Sequence, residues 1–167
     1  MSGNGDADLR LDLPGGRFIF RVAAVISRGD DLLMVSNPAD DHLYTVGGAV
    51  WGETTEAALA REVEEETGLQ VARAELCAVA EDFFHERGAD QHEVCFYYRV
   101  ALEPGREPTA RSVNLLGQPE SLLWAPRHSF GRDRPAYPPF LPELVDGGPI
   151  RHYVTRSDAP GLETKPI

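Results

Sequence analysis

The chain is short of basic charge. Its 167 residues hold 16 lysines and arginines against 27 aspartates and glutamates, a formal net charge of −11 at pH 7. That deficit argues against a partner held through a basic surface, which covers duplex nucleic acid and anionic membranes. It leaves phosphate compounds open, because metal ions can neutralise such a contact. Cysteine is scarce as well: Cys77 and Cys95 are the only two, with no C-x-x-C pair. Both lie in apolar or aromatic runs ("AELCAVA", "EVCFYYRV") and read as buried thiols in a reducing compartment. Long apolar runs are missing too. The opening "MSGNGDADLRLDLPGG" offers no hydrophobic stretch for a signal peptide, and no run approaches membrane-spanning length. The expectation is a cytoplasmic protein with no membrane partner.

What is present suits one domain. The length allows a real core, and 42% apolar with 26% charged residues is ordinary globular usage. Residues 1–16 read as a loose polar tail, 17–156 as the domain, and 157–167 as an irregular C-terminal tail. "RFIFRVAAVIS" (Arg17–Ser27) and "LLMVSN" (Leu32–Asn37) form a predicted hairpin around the polar turn "RGDD". "LYTVGGAV" (Leu43–Val50) is a further extended piece, ended by Trp51-Gly52. Thr54–Thr67 favours helix, with Thr54 as N-cap, Glu56 in the first turn and Gly68 as the stop. Leu69–Glu86 reads as a strand with a break, and His92–Leu102 as the strongest strand. On that strand Val94, Phe96, Tyr98 and Val100 share one side, and Cys95, Tyr97 and Arg99 the other. Glu103–Pro119 is a loop, Glu120–Arg127 a strand, Pro139–Val145 the place of a short helix, and Ile150–Arg156 an edge strand. No repeat or low-complexity segment appears.

Six glutamates and one arginine fall between Glu53 and Glu66. Like charges one turn apart destabilise a helix, so either water solvates them or a cation sits among them. With about 100° per residue, setting Glu62 at zero places Glu65 at roughly −60° and Glu66 at roughly +40°. Leu59, Ala60, Val63 and Thr67 fill the neighbouring arc and are expected to pack on the sheet. The carboxylates thus project beside the core contact. A solvated face would carry interleaved lysines, and here Arg61 is the only basic residue. Charge clustering alone leaves solvation and cation binding evenly matched.

The stretch Gly47–Leu69 resembles the Nudix box, G-x(5)-E-x(7)-R-E-U-x-E-E-x-G-U, with U a bulky aliphatic residue. Gly47, Glu53, Arg61, Glu62, Val63, Glu65, Glu66, Gly68 and Leu69 fill all nine fixed positions. The resemblance implies an α/β fold, a Nudix-type α/β/α sandwich with a mixed β-sheet. It implies a hydrolase that cleaves the diphosphate linkage of a nucleoside diphosphate joined to another group X, with Mg²⁺, or Mn²⁺ as a substitute. Carried over by position, Glu62, Glu65 and Glu66 are metal ligands, and so is the backbone carbonyl of Val46. Arg61 and Glu53 form an ion pair orienting the helix carboxylates, and Glu53 is also placed to reach a metal through water. Gly47, Gly48 and Gly68 shape the loop-helix-loop backbone. In one departure, Thr45-Val46-Gly47 stands where many members have Pro-Gly-Gly. A carbonyl does not depend on its side chain, so only the local turn is expected to differ.

Outside the helix the signals thin out. The base that deprotonates water is open between Glu65, Glu53 and Glu93, the last weighed against a simple hydrogen-bonded "HE" pair at a hairpin mouth. Arg17 and Arg21, four apart on a strand, share a sheet face and suit substrate phosphates as well as they suit solvent. "EDFFHERG" reads as a loop. Phe83, Phe84, Trp51, Tyr44 and Tyr97 include candidates for a base-stacking platform, each stacked base being worth about 1–3 kcal/mol, although most strand aromatics are core. Trp124 and Tyr137 read as packing. The leading function is a pyrophosphohydrolase acting on a small-molecule diphosphate such as a nucleotide or nucleotide-sugar. A Nudix-fold sensor that binds a nucleotide metabolite without turnover is the alternative, favoured only by degenerate box glutamates, and none is degenerate. Non-nucleotide diphosphates of isoprenoid type remain open, RNA decapping is less attractive, and a homodimer is an open option.

Overall fold

The computed structural model describes residues 10–39, 42–86, 88–114, 117–130 and 136–156. In chain order its elements are β1 (Arg10–Leu13), β2 (Gly16–Arg28), β3 (Asp31–Ser36), β4 (Leu43–Tyr44), β5 (Val46–Ala49), α1 (Thr55–Thr67), β6 (Val71–Glu86), β7 (Ala89–Leu102), β8 (Ser121–Pro126), β9 (Ala136–Tyr137) and β10 (Arg151–Arg156). Strand β2 organises them, because its period of two supplies both faces of the sheet. Val22, Ala24 and Ile26 enter one apolar cluster, while Ala23 and Val25 enter another. The strands run in the order β10-β6-β7-β2-β3-β4-β9, with β1 and β5 also on β2, and β8 on β3. β2 pairs parallel with β7 from Arg17 opposite Gln91 to Ile26 opposite Val100, and β10 pairs parallel with β6. The other pairs are antiparallel except β4–β9. The sheet is mixed, as the resemblance implies.

Each face has its own cover. Ala58, Leu59 and Val63 of α1 are wholly buried against Val22, Ala24, Leu33, Val46, Tyr98 and Val100. On the other face a 3-10 turn (Leu141–Leu144) sets Leu141 and Leu144 against Ala78, Ala80, Cys95 and Tyr97, with Phe140 stacked on Tyr153 at 4.0 Å between centroids. Among the described residues the sheet therefore carries an α-helix on one face and short 3-10 turns on the other. The alternation along β7 follows the sequence expectation: Phe96, Tyr98 and Val100 face α1, and Cys95 and Tyr97 face the turn.

Several expectations shift. Part of the stretch read as a tail, Arg10–Leu13, is β1, hydrogen-bonded across β2 from Leu13 opposite Gly16 to Arg10 opposite Ile19. The remaining tail residues, 1–9 and 157–167, lie outside the described residues. "EDFFHE" is not a loop: β6 runs through Glu86 and pairs with β7 as far as Ala89. Its predicted break appears as register shifts at Val71/Arg73 and Leu76/Ala78. Ala60 is exposed, and Ala58 takes its place in the core. The helix settles with its buried arc rotated toward Glu66, which leaves Ala60 at the margin. Tyr137, read as packing, is 57% exposed. Cys77 and Cys95 are free, buried thiols, and burial pushes the Cys77 thiol up to about 11. Among the described residues no helix is long and apolar enough to cross a membrane.

Candidate active site

Local chemistry fixes where α1 begins and ends. Thr54, extended at φ −74° and ψ 156°, accepts the Ala57 N–H on its hydroxyl, satisfying a donor the first turn leaves orphaned. Gly68 takes φ 72°, where a side chain would be strained, and its N–H closes on the Glu64 carbonyl. Two more glycines let the helix meet the sheet. A Cβ on Gly47 would stand 2.2 Å from the Val22 carbonyl oxygen of the paired strand. One on Gly48 would stand 2.4 Å from the Glu62 carboxyl group. Both positions need hydrogen, because β5 lies against β2 and the Glu62 carboxylate lies against β5.

Arg61 is the hub of the outer carboxylates. Its Nε and Nη2 both donate to Glu53 Oε1, at 3.1 and 2.8 Å. Nη1 donates to Glu62 Oε1 at 2.6 Å and to Glu65 Oε2 at 3.2 Å, and Nη2 also reaches the Ala49 carbonyl at 3.2 Å. Partial burial works against the guanidinium's charge, but the bonds to Glu53 and Glu62 outweigh it and raise its pKa. The structure brings Glu53 to Arg61 in the geometry expected of the ion pair. The fork also bonds Glu62 and Glu65 directly, where the resemblance implied that Arg61 orients them through Glu53.

Glu66 points the other way. Burial first, and then the neighbouring Glu62 charge, push its carboxyl up to about 8, while Arg21 and the hydrogen-bonding backbone of Gly47 oppose them. Its Oε2 is buried without a hydrogen-bond partner, a costly state for an acceptor. An orphaned carboxylate oxygen, two more carboxylates on the same helix and the backbone of β5 make an all-oxygen donor set of the kind a hard divalent cation takes. Among the described residues, however, no three His, Cys, Asp or Glu side chains are gathered closely enough to hold a metal as they stand. The reason is visible: Arg61 draws Glu62 and Glu65 to itself, and Glu66 turns inward. Val46, whose carbonyl was expected among the ligands, opens β5 with its side chain fully buried.

The two strand arginines part company. Arg17 donates from Nε to Asp12 of β1 at 2.8 Å, at the surface. Arg21 reaches the Gly47 carbonyl at 3.4 Å and lies 3.7 Å from Glu93 Oε2. Glu93 is 8% exposed, so it is a buried ion-pair partner and not the "HE" pair at a hairpin mouth. Opposite it across the β6–β7 ladder stands Asp82, which accepts a hydrogen bond from the Thr155 hydroxyl. Burial raises the Asp82 carboxyl to about 6, against the Thr155 bond and Arg21. Sequence reasoning missed Asp82 and Thr155. Spacing gave no signal for them, and only the β6–β7 and β6–β10 registers bring them beside Glu93.

The aromatic candidates scatter. Tyr97 is 3% exposed. Phe83 is stacked on His92 at 4.3 Å, with the Arg156 guanidinium 4.3 Å from its ring centroid. Tyr44 donates its hydroxyl to Glu120, and Glu120 also acts on Glu66. Trp51 stands 63% exposed just before Glu53. Phe84 lies opposite Gln91 on the β6–β7 hairpin. Trp124 packs under Arg28, 4.1 Å from ring centroid to guanidinium carbon, as expected. These rings form no single platform.

A curled mixed sheet carrying one glutamate-rich helix, locked by glycines at both ends and by an arginine fork, defines a Nudix-type domain. The profile of the NUDIX domain matches residues 18–144, so the chain belongs to the Nudix family and is a Nudix hydrolase by class. Among solved structures it is similar to a MutT Nudix hydrolase from Burkholderia pseudomallei, with 26% identity, a TM-score of 0.60, and coverage of 77% of this chain and 98% of that one. It shares the fold of a MutT protein from Bacillus halodurans at 16% identity and a TM-score of 0.63, covering 87% of this chain and 94% of that one.

Proposed function

We propose that the chain hydrolyses the diphosphate linkage of a nucleoside diphosphate joined to a second group, using a divalent cation, Mg²⁺ or Mn²⁺. The observation that carries this reading is the orphaned, buried Glu66 Oε2 beside carboxylates already ordered by Arg61. Glu66, Glu62, Glu65 and the Val46 carbonyl are the residues that would hold the ion. When bound, such an ion neutralises phosphate oxygens and lowers the pKa of water. Arg61 keeps Glu62 and Glu65 on the cation side of the helix and is itself kept in place by Glu53. Glu65 gives only Oε2 to the fork and is 57% exposed. It therefore keeps an oxygen to accept a proton from attacking water, as does Glu53, whose Oε1 takes both of its Arg61 bonds. The water oxygen bonds to phosphorus, the bridging P–O bond breaks, and its electron pair leaves with the departing phosphate. Glu93 is withdrawn from the role of base because Arg21 holds it inside. Arg17, half-buried and paired only with exposed Asp12, is the guanidinium left for substrate phosphates once it leaves that partner.

The test is a panel of nucleoside diphosphates linked to sugars, nucleosides and other groups, with non-nucleotide diphosphates alongside. Each is assayed with Mg²⁺ and with Mn²⁺ and scored by phosphate release after phosphatase coupling. Turnover of a nucleoside diphosphate compound is expected. Binding without turnover across the panel would replace the enzyme reading with the sensor.

A further inference from the structure

We propose that Arg21 is a positioning residue that fixes the short strand β5 beneath the carboxylates of α1. Three facts place it there. Its guanidinium spans from the Gly47 carbonyl on β5, at 3.4 Å, to Glu93 on β7, at 3.7 Å. The Gly47 backbone hydrogen-bonds Glu66, and the next residue, Gly48, is in contact with the Glu62 carboxyl group. Strand β5 is only four residues long, and β2 is its one ladder partner among the described residues.

A strand that short has few ladder bonds to define its position, yet both Glu66 and Glu62 are set against it. Arg21 sits on β2 opposite Ala49, the last residue of β5, and reaches back to Gly47 at the other end. Its opposite pole is anchored in the middle of the sheet, where Glu93 is buried. The positive charge also acts on two carboxylates withdrawn from water, Glu93 and Glu66, each of which is costly to keep charged without a partner. Removing the guanidinium therefore does two things. It frees the Gly47 carbonyl, and it leaves Glu93 and Glu66 without the positive charge that acts on both. Arg21 acts on the site through β5, not by touching a substrate.

The first measurement needs no metal and does not rest on the proposed function. Amide hydrogen exchange by NMR compares the wild type with Arg21→Leu and Arg21→Lys. In Arg21→Leu the Gly47 and Gly48 amides should exchange about tenfold faster or more, while the Val63 and Thr67 amides inside α1 keep their rates. Arg21→Lys, which keeps the charge, should recover part of the protection. Unchanged protection at Gly47 and Gly48, or an equal loss at every amide, overturns the proposal, the second because it marks a merely global loss of stability. Mn²⁺ affinity, read by electron paramagnetic resonance, is the second arm and rests on the cation reading. There Arg21→Leu should bind about tenfold more weakly. A wild type that binds no Mn²⁺ sinks the cation reading and leaves the exchange arm to decide Arg21. Wild-type affinity in an Arg21→Leu protein with loosened glycines overturns the link from strand to site.

Discussion

Two arginines hold carboxylates in this molecule, and they do so by opposite means. Arg61 sits on the surface of a helix and collects partners from its own neighbourhood: Glu62 and Glu65 from the same turn, and Glu53 from the loop before it. Arg21 is half-buried, at 31% against 35% for Arg61, but it links residues that meet only because β2 pairs with both β5 and β7. The first cluster tolerates solvent, so each bond in it is individually modest. The second centres on a buried carboxylate, Glu93, so loss of the guanidinium leaves that charge uncompensated. Order at the surface comes from several cheap contacts, and order in the interior from a few costly ones.

The sharpest way to break this comparison is to remove the divalent cation proposed to lie among the box carboxylates. Excess chelator should abolish hydrolysis of any substrate found in the panel, and full turnover under those conditions rejects the cation reading. Next comes Glu66, the box carboxylate with a buried oxygen that has no hydrogen-bond partner. Glu66→Gln should lower kcat by about 10²-fold or more with helix content unchanged, whereas exposed Glu64→Gln should stay near wild type. Similar losses in the two variants would mean that burial does not single out Glu66. A double-mutant cycle on the surface fork should give a smaller effect. Glu53→Gln and Arg61→Ala should couple by about 0.5–3 kcal/mol, and added Mg²⁺ should partly rescue Arg61→Ala. Additive losses without rescue would dismiss Arg61 as the organiser. Smallest is the cap: Thr54→Ala should cost about 1 kcal/mol of stability, read as a lowered Tm, and leave KM unaltered. A change in KM would tie helix fraying directly to binding.

Legibility in the sequence followed the range of the interactions. The helix and its Thr54 and Gly68 caps are legible because each depends on partners within about one turn, whereas the Glu53–Arg61 pair is legible only through the resemblance to the Nudix box. The inside-outside alternation of β7 was readable because a strand's period is local. The strand β1 was not, since "RLDL" gains its structure from Gly16–Ile19 and carries little pattern of its own. Arg21 and Glu93 each stand out in the sequence, but their partnership does not, because it depends on the parallel register that sets Ile19 opposite Glu93. That register places the Arg21 guanidinium 3.7 Å from a buried carboxylate. Glu66 stood in the motif beside Glu65, and only the helix's rotation onto the sheet separates the buried carboxylate from the exposed one.

The parallel ladder between β2 and β7 has a kinetic meaning. Every hydrogen bond of α1 closes within a few residues, so the glutamate helix can form early and repeatedly in the unfolded chain. The β2–β7 register joins segments from either side of that helix, and long loops must close before such contacts are rewarded. A refolding chain should recover far-UV helical signal ahead of the Gly47 and Gly48 amide protection that Arg21 provides, as followed by pulse-labelled hydrogen exchange. The motif would then exist as a helix before it exists as a site, with the late-closing sheet deciding when the carboxylates come to face anything.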